Sequence, residues 1–281
     1  MQLSLRTAWS LGLAALASAA LLAPASAGAK EFFKLATLGP GSSPYTVMTT
    51  FANVINTHLK DYEIQVNATG VATRHAIDAA EGNLDFFMSA PVVQDAMEHQ
   101  TQMYAKLPEA PALSKKLRGV LNFPIGVYHI VVYDKSGIKS LADVKGKRVF
   151  LGPPGGAAPV IAMQMIEGAT GLKPDKDYTS VKLGWEAAAQ AFQDQQLDVY
   201  INPTNAPSAV IAQMALTSKI RLLGLTPADF AKPEMSKLLH TPGRTREEIA
   251  SGTYGANQVN KDPVESIGSI VGIGTRASMP D

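Results

Sequence analysis

Five loops rich in Gly, Ser, Thr, Asn and Pro follow strand-like segments of the chain. They read "GPGSSPY" (39–45), "ATGVATRH" (68–75), "MSAPVV" (88–93), "GPPGGAAP" (152–159) and "INPTNAP" (201–207). Such loops offer backbone N–H groups at helix N-termini, where carboxylate and phosphate groups bind. Ordinary turn chemistry explains any one of these loops. Five of them facing one cleft favour the binding of a small anion.

The first two loops contain the side chains best suited to bind an anion. Ser42 and Ser43 can cap the following helix and donate to a ligand, and Tyr45 can form a wall or donate its hydroxyl. Arg74 can offer a two-pronged guanidinium to a carboxylate, although a solvent-facing position fits the sequence equally well. His75 can contact the ligand or cap the helix.

The stretch "VFLGPPGGAAPV" (149–160) offers backbone donors only. Gly155 and Gly156 permit close backbone approach, and Pro159 suits the first turn of a helix. Trp185 begins a later helix, where it can stack on a ligand or serve the core or hinge. The residues predicted to bind ligand are Gly39, Ser42, Ser43, Tyr45, Thr69, Arg74, His75, Ser89, Gly155, Gly156, Ala157, Trp185, Asn202 and Asn205.

Strand-like and helix-like segments alternate along the chain. This pattern predicts an α/β fold with parallel strands and right-handed crossovers, whose ligands bind outside the carboxyl ends of the strands. Within it, "SLADVKG" (140–146) predicts a short helix, with Ser140 as its N-cap and Asp143 three residues later.

Two long extended runs without a clear turn signal predict strands that cross between two lobes. These are "VLNFPIGVYHIVVY" (120–133) and "SIGSIVGIGTR" (266–276). We therefore expect a two-lobed fold, with the ligand cleft between the lobes and a hinge in the crossing strands. The predicted boundaries are 1–27 for a signal peptide, 28–131 for the first part of lobe one, 132–267 for lobe two and 268–281 for the return strand.

The two ends of the chain predict export and a further helix. Arg6, an apolar run over about residues 9–22 and "ASA" at 25–27 fit a cleaved secretory signal, although a membrane anchor is the alternative. At the other end, "SMPD" (278–281) resembles a helix start, so we expect that C-terminal helices are missing from the sequence.

Composition and motifs argue against several classes of function. The 281 residues are 46% hydrophobic and 17% charged, with a formal net charge of +1, so no basic face for nucleic acid is expected. The chain has no cysteine, and its five histidines lack metal-binding spacing. No G-x-S-x-G, H-E-x-x-H or phosphate-loop motif is present. We expect a monomeric binding protein without cofactor, metal or catalytic residues.

Three stretches resemble the TAXI-type solute receptors of TRAP transporters. They are "GPGSSPY" (39–45), "GNLDFFMSAPV" (82–92) and "LRGVLNFPIGVYHIVVYDKSGIKSLADVKGKRVFLGPPGG" (117–156). The resemblance covers nearly all of the mature chain and implies a periplasmic-binding-protein-like fold of type II. It also implies a periplasmic receptor that delivers its ligand to TRAP membrane permease subunits for ion-gradient-driven uptake. A receptor that serves a sensor kinase or an ABC-type permease is the alternative.

The departures from this family concern the ligand. TAXI ligands include glutamate, glutamine and related dicarboxylates, but three loops of this chain differ from the family. It has "TGVATRH" (69–75) for "TGGSVxN", "SAPV" (89–92) for "VQSD" and "GPPGGAA" (152–158) for "GPPGSGT". We therefore expect a small organic anion, a carboxylate or dicarboxylate that is glutamate-like or related, with Arg74 or His75 supplying the charge.

Overall fold

A computed structural model describes residues 30–280, so the predicted signal peptide and Asp281 lie outside the described residues. Ten strands form one continuous sheet, and two long strands extend it from lobe one into lobe two. The strands are β1 Glu31–Ala36, β2 Tyr62–Asn67, β3 Phe86–Ser89, β4 Leu117–Tyr133, β5 Arg148–Phe150, β6 Thr179–Val181, β7 Val199–Thr204, β8 Ile220–Leu223, β9 Arg244–Ile249 and β10 Val264–Arg276.

Helices cover the strands of both lobes. None of those among residues 30–280 is long and apolar enough to cross a membrane. The helices are α1 Ser43–His58, α2 Ala72–Ala80, α3 Pro91–Glu98, α4 Ala110–Ser114, α5 Ala157–Thr170, α6 Trp185–Gln193, α7 Ala209–Thr217, α8 Pro227–Phe230 and α9 Pro233–Leu239.

The strands β4 and β10 join the two lobes. In lobe one the strand order is β2-β1-β3-β10-β4. In lobe two the order continues from β4 to β7, β5 and β6. In addition, β8 pairs with β4 and β9 pairs with β10. β10 pairs with β4 between Gly268↔Val127 and Arg276↔Leu117, and its other end pairs with β9. The two-lobed α/β fold with crossing strands is therefore confirmed. Lobe boundaries at 131 and 267 stay a prediction.

The residues of β4 change from mostly exposed to fully buried where the strand enters lobe two. Its last seven residues, from Val127 to Tyr133, are all buried, whereas most of its first half is exposed. A strand covered on both faces needs such a continuous apolar run. At the crossing point Gly126 has φ +105°, and a Cβ there would lie 2.1 Å from the Thr204 carbonyl oxygen. Only glycine allows β4 and β7 to approach this closely.

Apolar side chains pack on both faces of the lobe-two sheet. One cluster lies under α6 and α7, where the rings of Phe150 and Tyr200 stack 5.5 Å apart and those of Tyr133 and Phe192 stack 4.5 Å apart. The other cluster runs from lobe one through Ile130 to α5. This packing holds the N-termini of the helices rigidly around the cleft.

The local capping prediction for 140–146 is confirmed. Ser140 and Asp143 form a capping box at the start of a 3₁₀ helix, Leu141–Val144. The stretches "TPADFAKPE" (226–234) and "TPGRTREEIASGTYGANQVNKDP" (241–263) are typical of loops or short helices. The first contains α8 and the start of α9, as this pattern predicts, whereas the second contains the strand β9, so the prediction for it is wrong.

Candidate functional site

A cavity of about 60 Å³ lies between the lobes, at the ends of several strands. Residues of both lobes line it, with the starts of α1, α2 and α3 on one side and those of α5 and α6 on the other. The lining residues are Leu38, Ser42, Gly70, Val71, Ala72, Met88, Ala90, Val92, Ile125, Tyr128, Pro153, Gly156, Ala157, Ala158, Pro159, Ile161, Trp185, Pro203, Arg244, Ser269, Ile270 and Val271.

Four of the helices that begin at this cavity lack a side-chain cap. Their N-cap residues are Val71 for α2, Ala90 for α3, Gly156 for α5 and Gly184 for α6. The first N–H groups of a helix have no intrahelical acceptor, and the helix dipole makes this end positive. Together the four helix starts give the cavity a positive potential without any charged side chain.

Arg244, the first residue of β9, adds a full positive charge. One of its terminal nitrogens donates to the hydroxyl of Ser269, its neighbour on β10, whereas its Nε is buried and has no hydrogen-bond partner. No carboxylate of the described residues forms an ion pair with it. Burial lowers the pKa of Arg244, and the nearby Tyr128 partly opposes this effect. The arginine nevertheless stays charged, as arginine does in proteins.

Tyr128 links Arg244 to the start of α5. Its side chain is fully buried, and its hydroxyl donates to the Ala158 carbonyl over 3.4 Å. Burial raises the pKa of Tyr128 to about 12, so the phenol is neutral at physiological pH. The positive end of α5 and the guanidinium are therefore neighbours around one neutral hydroxyl. An anion placed there meets donors from both sides.

A glycine turn holds the start of β9 against lobe one. Gly243 has φ +76°, and a Cβ there would lie 3.0 Å from the side chain of Pro91 at the start of α3. The Gly243 carbonyl accepts from the N–H of Ile270 on β10. Arg244 follows directly, so the turn and the β9–β10 pairing place its guanidinium at the interface of the lobes.

Four of the predicted residues line the cavity. Ser42 caps α1, accepting from the Tyr45 N–H over 3.4 Å. Gly156 and Ala157 form the start of α5. Trp185 is 6% exposed and packs edge-to-face on Phe150, so it serves the core and the cavity wall together.

Four other predicted residues lie where the lobes touch, beside the cavity. The Ser43 hydroxyl of lobe one hydrogen-bonds that of Thr204 over 2.9 Å and accepts from the Asn205 N–H over 3.1 Å. Gly155 accepts from the Thr73 hydroxyl over 2.7 Å. Asn202 donates to the Gly41 carbonyl over 3.4 Å and to the hydroxyl of Tyr200 over 2.9 Å. The hydrogen bonds from Ser43, Thr73 and Gly41 to lobe two hold the lobes in a closed arrangement.

The structure does not bring Arg74 or His75 to the cavity lining. Arg74 is exposed and forms an ion pair with Asp78, one helical turn along α2, over 2.6 Å. That ion pair raises the pKa of Arg74. His75 is buried, and its Nε2 lies 2.7 Å from the carbonyl oxygen of Thr69. Burial lowers the pKa of His75, which favours the neutral ring. This ring stabilises the loop of residues 69–71 through its hydrogen bond to Thr69.

The remaining predicted residues also lie outside the cavity lining. Gly39 accepts from the Ser42 hydroxyl over 2.8 Å, and Tyr45 lies half-buried in the first turn of α1. Thr69 is exposed and donates to Asn67. Ser89 lines a separate groove that includes Arg118.

Sequence reasoning missed the three polar residues that sit together in the cavity: Tyr128, Arg244 and Ser269. Two of them lie on the segments 120–133 and 266–276, for which the sequence predicts only strands that cross between the lobes and form a hinge. The third lies in "TPGRTREEI" (241–249), which lacks the alternation of apolar and polar residues that indicates a strand.

The profile of the NMT1-like family matches residues 35–281, which is most of the chain. The chain belongs to the NMT1-like family. Its matched region begins in β1 and includes both crossing strands and every residue of the cavity lining.

Solved structures share the fold at low sequence identity. A protein from Bordetella bronchiseptica RB50 has a TM-score of 0.51 at 15% identity, over 86% of this chain and 64% of that one. A TRAP periplasmic solute-binding protein from Desulfovibrio desulfuricans, with bound sn-glycerol-3-phosphate, has a TM-score of 0.48 at 14% identity, over 89% and 72%.

A third structure is the alkanesulfonate-binding protein of Xanthomonas axonopodis pv. citri bound to MOPS. Its TM-score is 0.47 at 16% identity, over 71% of this chain and 62% of that one. The chain therefore spans less than two thirds of the length of the Xanthomonas and Bordetella proteins. These likenesses concern the fold.

Proposed function

We propose that this NMT1-like protein is a periplasmic receptor that encloses a small organic anion between its lobes and delivers it to a membrane permease. The observation that carries this proposal is the guanidinium of Arg244. It lines the cavity between the lobes, and its buried Nε lacks a hydrogen-bond partner. Burying a cation without a counter-charge is costly, and a ligand carboxylate would remove that cost.

The surrounding groups suit an anion as well. The uncapped starts of α2, α3, α5 and α6 direct positive potential into the same cavity. Among the described lining residues there is no Asp, Glu, His or Lys. This lining supports binding without turnover, because its titratable side chains, Tyr128 and Arg244, hold their protons at physiological pH and so offer no general base.

Closure around the ligand would use the two strands that join the lobes. A change of backbone angles near Gly126 of β4 and Gly268 of β10 would separate α2 from the start of α5 and open the cavity to solvent. In the closed form the hydrogen bonds from Ser43 and Thr73 to lobe two stabilise the contact between the lobes. A ligand that binds both lobes would shift the population toward this form.

The partner and the compartment rest on the sequence. The resemblance of residues 117–156 to TAXI receptors supports TRAP permease subunits as the partner, and the N-terminal segment 1–27 supports export to the periplasm. Uptake measured in membranes that contain each type of permease would distinguish a TRAP partner from an ABC-type one. A ligand response without uptake would favour a sensor kinase.

Thermal unfolding in the presence of small anions, cations and neutral solutes tests the binding proposal. A ligand that binds only the folded form stabilises it in proportion to the logarithm of its concentration. We expect stabilisation by organic anions, and we expect Arg244→Met to abolish it. Arg246→Met is the matched control, because Arg246 lies on the same strand and pairs with Glu265 at the surface. Stabilisation by neutral or cationic solutes alone would refute the proposal.

A further inference from the structure

We infer that the ligand of this cavity is a short monocarboxylate with an apolar body. This inference rests on the proposed function and narrows its ligand class. It comes from three properties of the cavity between the lobes, namely its count of charges, the polar side chains available in it and its size.

The charges of the cavity match a single carboxylate. Arg244 is the one charged side chain among the described residues that line it. An amino acid would bring an ammonium group, and the described lining has no Asp or Glu to pair with it. A buried ammonium beside Arg244 would also face a like charge, which is unfavourable at short range.

Few polar side chains remain for a second polar group. Ser42 already donates to Gly39 and accepts from Tyr45, and Ser269 already accepts from Arg244. Tyr128 lies beside Arg244 and the start of α5, so its hydroxyl belongs to the same end of the cavity. The rest of the wall is mostly apolar, including Leu38, Val71, Met88, Val92, Ile125 and Ile161.

Arg244 offers a full positive charge, whereas the uncapped helix starts offer only partial charges, so a second carboxylate gains less than the first. A methyl or ethyl group gains from the apolar side chains of the wall. The cavity therefore favours one carboxylate over two by its single full charge, and it disfavours amino acids by its lack of acid.

The size of the cavity points the same way. With a volume of about 60 Å³, the cavity favours a ligand that has few atoms beyond its carboxylate.

Isothermal titration calorimetry with matched ligands tests the inference. The ligands are propanoate, propanamide as its uncharged analogue, L-alanine with an added ammonium, succinate with an added carboxylate, and benzoate with a larger body. We expect propanoate to bind at least tenfold tighter than each of the other four. We also expect Arg244→Met to weaken propanoate by on the order of 10- to 100-fold.

Two controls separate charge recognition from damage to the fold. Arg246→Met should leave the dissociation constant for propanoate within about twofold of the parent, because its partner Glu265 lies outside the cavity. Arg244→Met should bind propanamide about as weakly as the parent does. Circular dichroism and the melting temperature would show whether each variant is folded.

The outcomes distinguish this inference from the proposed function. Tighter binding of succinate, L-alanine or benzoate than of propanoate would overturn the monocarboxylate assignment, while the receptor for an organic anion would stand. Equal binding of propanoate and propanamide, or no binding of any anion in the series and the wider panel, would overturn both.

Discussion

The hydroxyl oxygens of Ser43 and Thr204 lie 2.9 Å apart, although the two residues belong to different lobes. Ser43 is the first residue of α1, and Thr204 is the last residue of β7. Both side chains are buried in this closed arrangement. The pair therefore reports directly on closure, because it can exist only while the lobes are in contact.

We predict that removal of this hydrogen bond weakens ligand binding by favouring the open form. Ser43→Ala and Thr204→Val should each raise the dissociation constant several-fold, since one hydrogen bond contributes about 0.5–1.5 kcal/mol. A double-mutant cycle by calorimetry should give a coupling energy of that size. Thr49→Val is the control, because its hydroxyl bonds to Tyr45 within α1. A coupling energy near zero would show that the pair does not contribute to closure.

Gly156 gives a second test of closure, by adding bulk instead of removing a bond. A Cβ at Gly156 would lie 3.8 Å from a methyl group of Val71 in the other lobe, which is ordinary contact. We therefore predict that Gly156→Ala binds nearly as the parent does, whereas Gly156→Leu loses binding by at least about 100-fold because its side chain wedges the lobes apart. Titration calorimetry measures the affinity of each variant.

Chemical unfolding of the same two variants would show whether the effect is local. With the lobes open, the Gly156→Leu side chain would face solvent, so its free energy of unfolding should stay within about 1 kcal/mol of the parent. Retained binding by Gly156→Leu would mean that this loop does not close on the ligand.

Arg74 provides a contrasting prediction. The sequence hypothesis gives it the ligand's counter-charge, but its guanidinium is exposed and paired with Asp78. We predict that Arg74→Ala changes the dissociation constant by less than about twofold and stability by less than about 1 kcal/mol, because exposed ion pairs contribute little. Calorimetry of this variant beside Arg244→Met would decide which arginine meets the ligand. A large loss for Arg74→Ala alone would restore the sequence hypothesis.

These two arginines show what the sequence could predict and what it could not. The fold follows from local patterns, such as the S-x-x-D spacing of Ser140 and Asp143 and the buried run that ends β4. Arg74 stands four residues before Asp78, a spacing that predicts an ion pair on a helix. That signal was available and pointed away from the ligand.

The position of Arg244 depends on contacts that are distant in sequence. Its strand pairs with β10 at Ser269, 25 residues along the chain, and its preceding turn packs on Pro91 of the other lobe. No local pattern encodes either contact. The backbone contribution of the loops at 68–75, 88–93 and 152–159 could be predicted from their composition, whereas the single charged side chain required the tertiary structure.

A buried histidine gives the last prediction. His129 on β4 is fully buried, and its Nδ1 lies 2.9 Å from the carbonyl oxygen of Val127, which can only accept. Its Nε2 therefore accepts from the Tyr254 hydroxyl over 2.7 Å, and that hydroxyl accepts from the Ser208 N–H. Burial lowers the pKa of His129 from 6.5 to about 4. Protonation of the folded protein would leave two donors facing each other.

The consequence is a loss of stability in acid. The unfolded chain binds a proton at His129 near pH 6.5 and the folded protein only near pH 4, so the free energy of unfolding should fall as pH drops through this window. The loss at this site should be on the order of 3 kcal/mol by pH 4. Urea unfolding from pH 7 to pH 4 should show a shallower decline for His129→Gln, whereas His240→Gln, altered at an exposed site, should follow the parent. Parallel declines for the parent and His129→Gln would contradict the prediction, because the carboxylates common to both proteins would then explain the whole pH dependence.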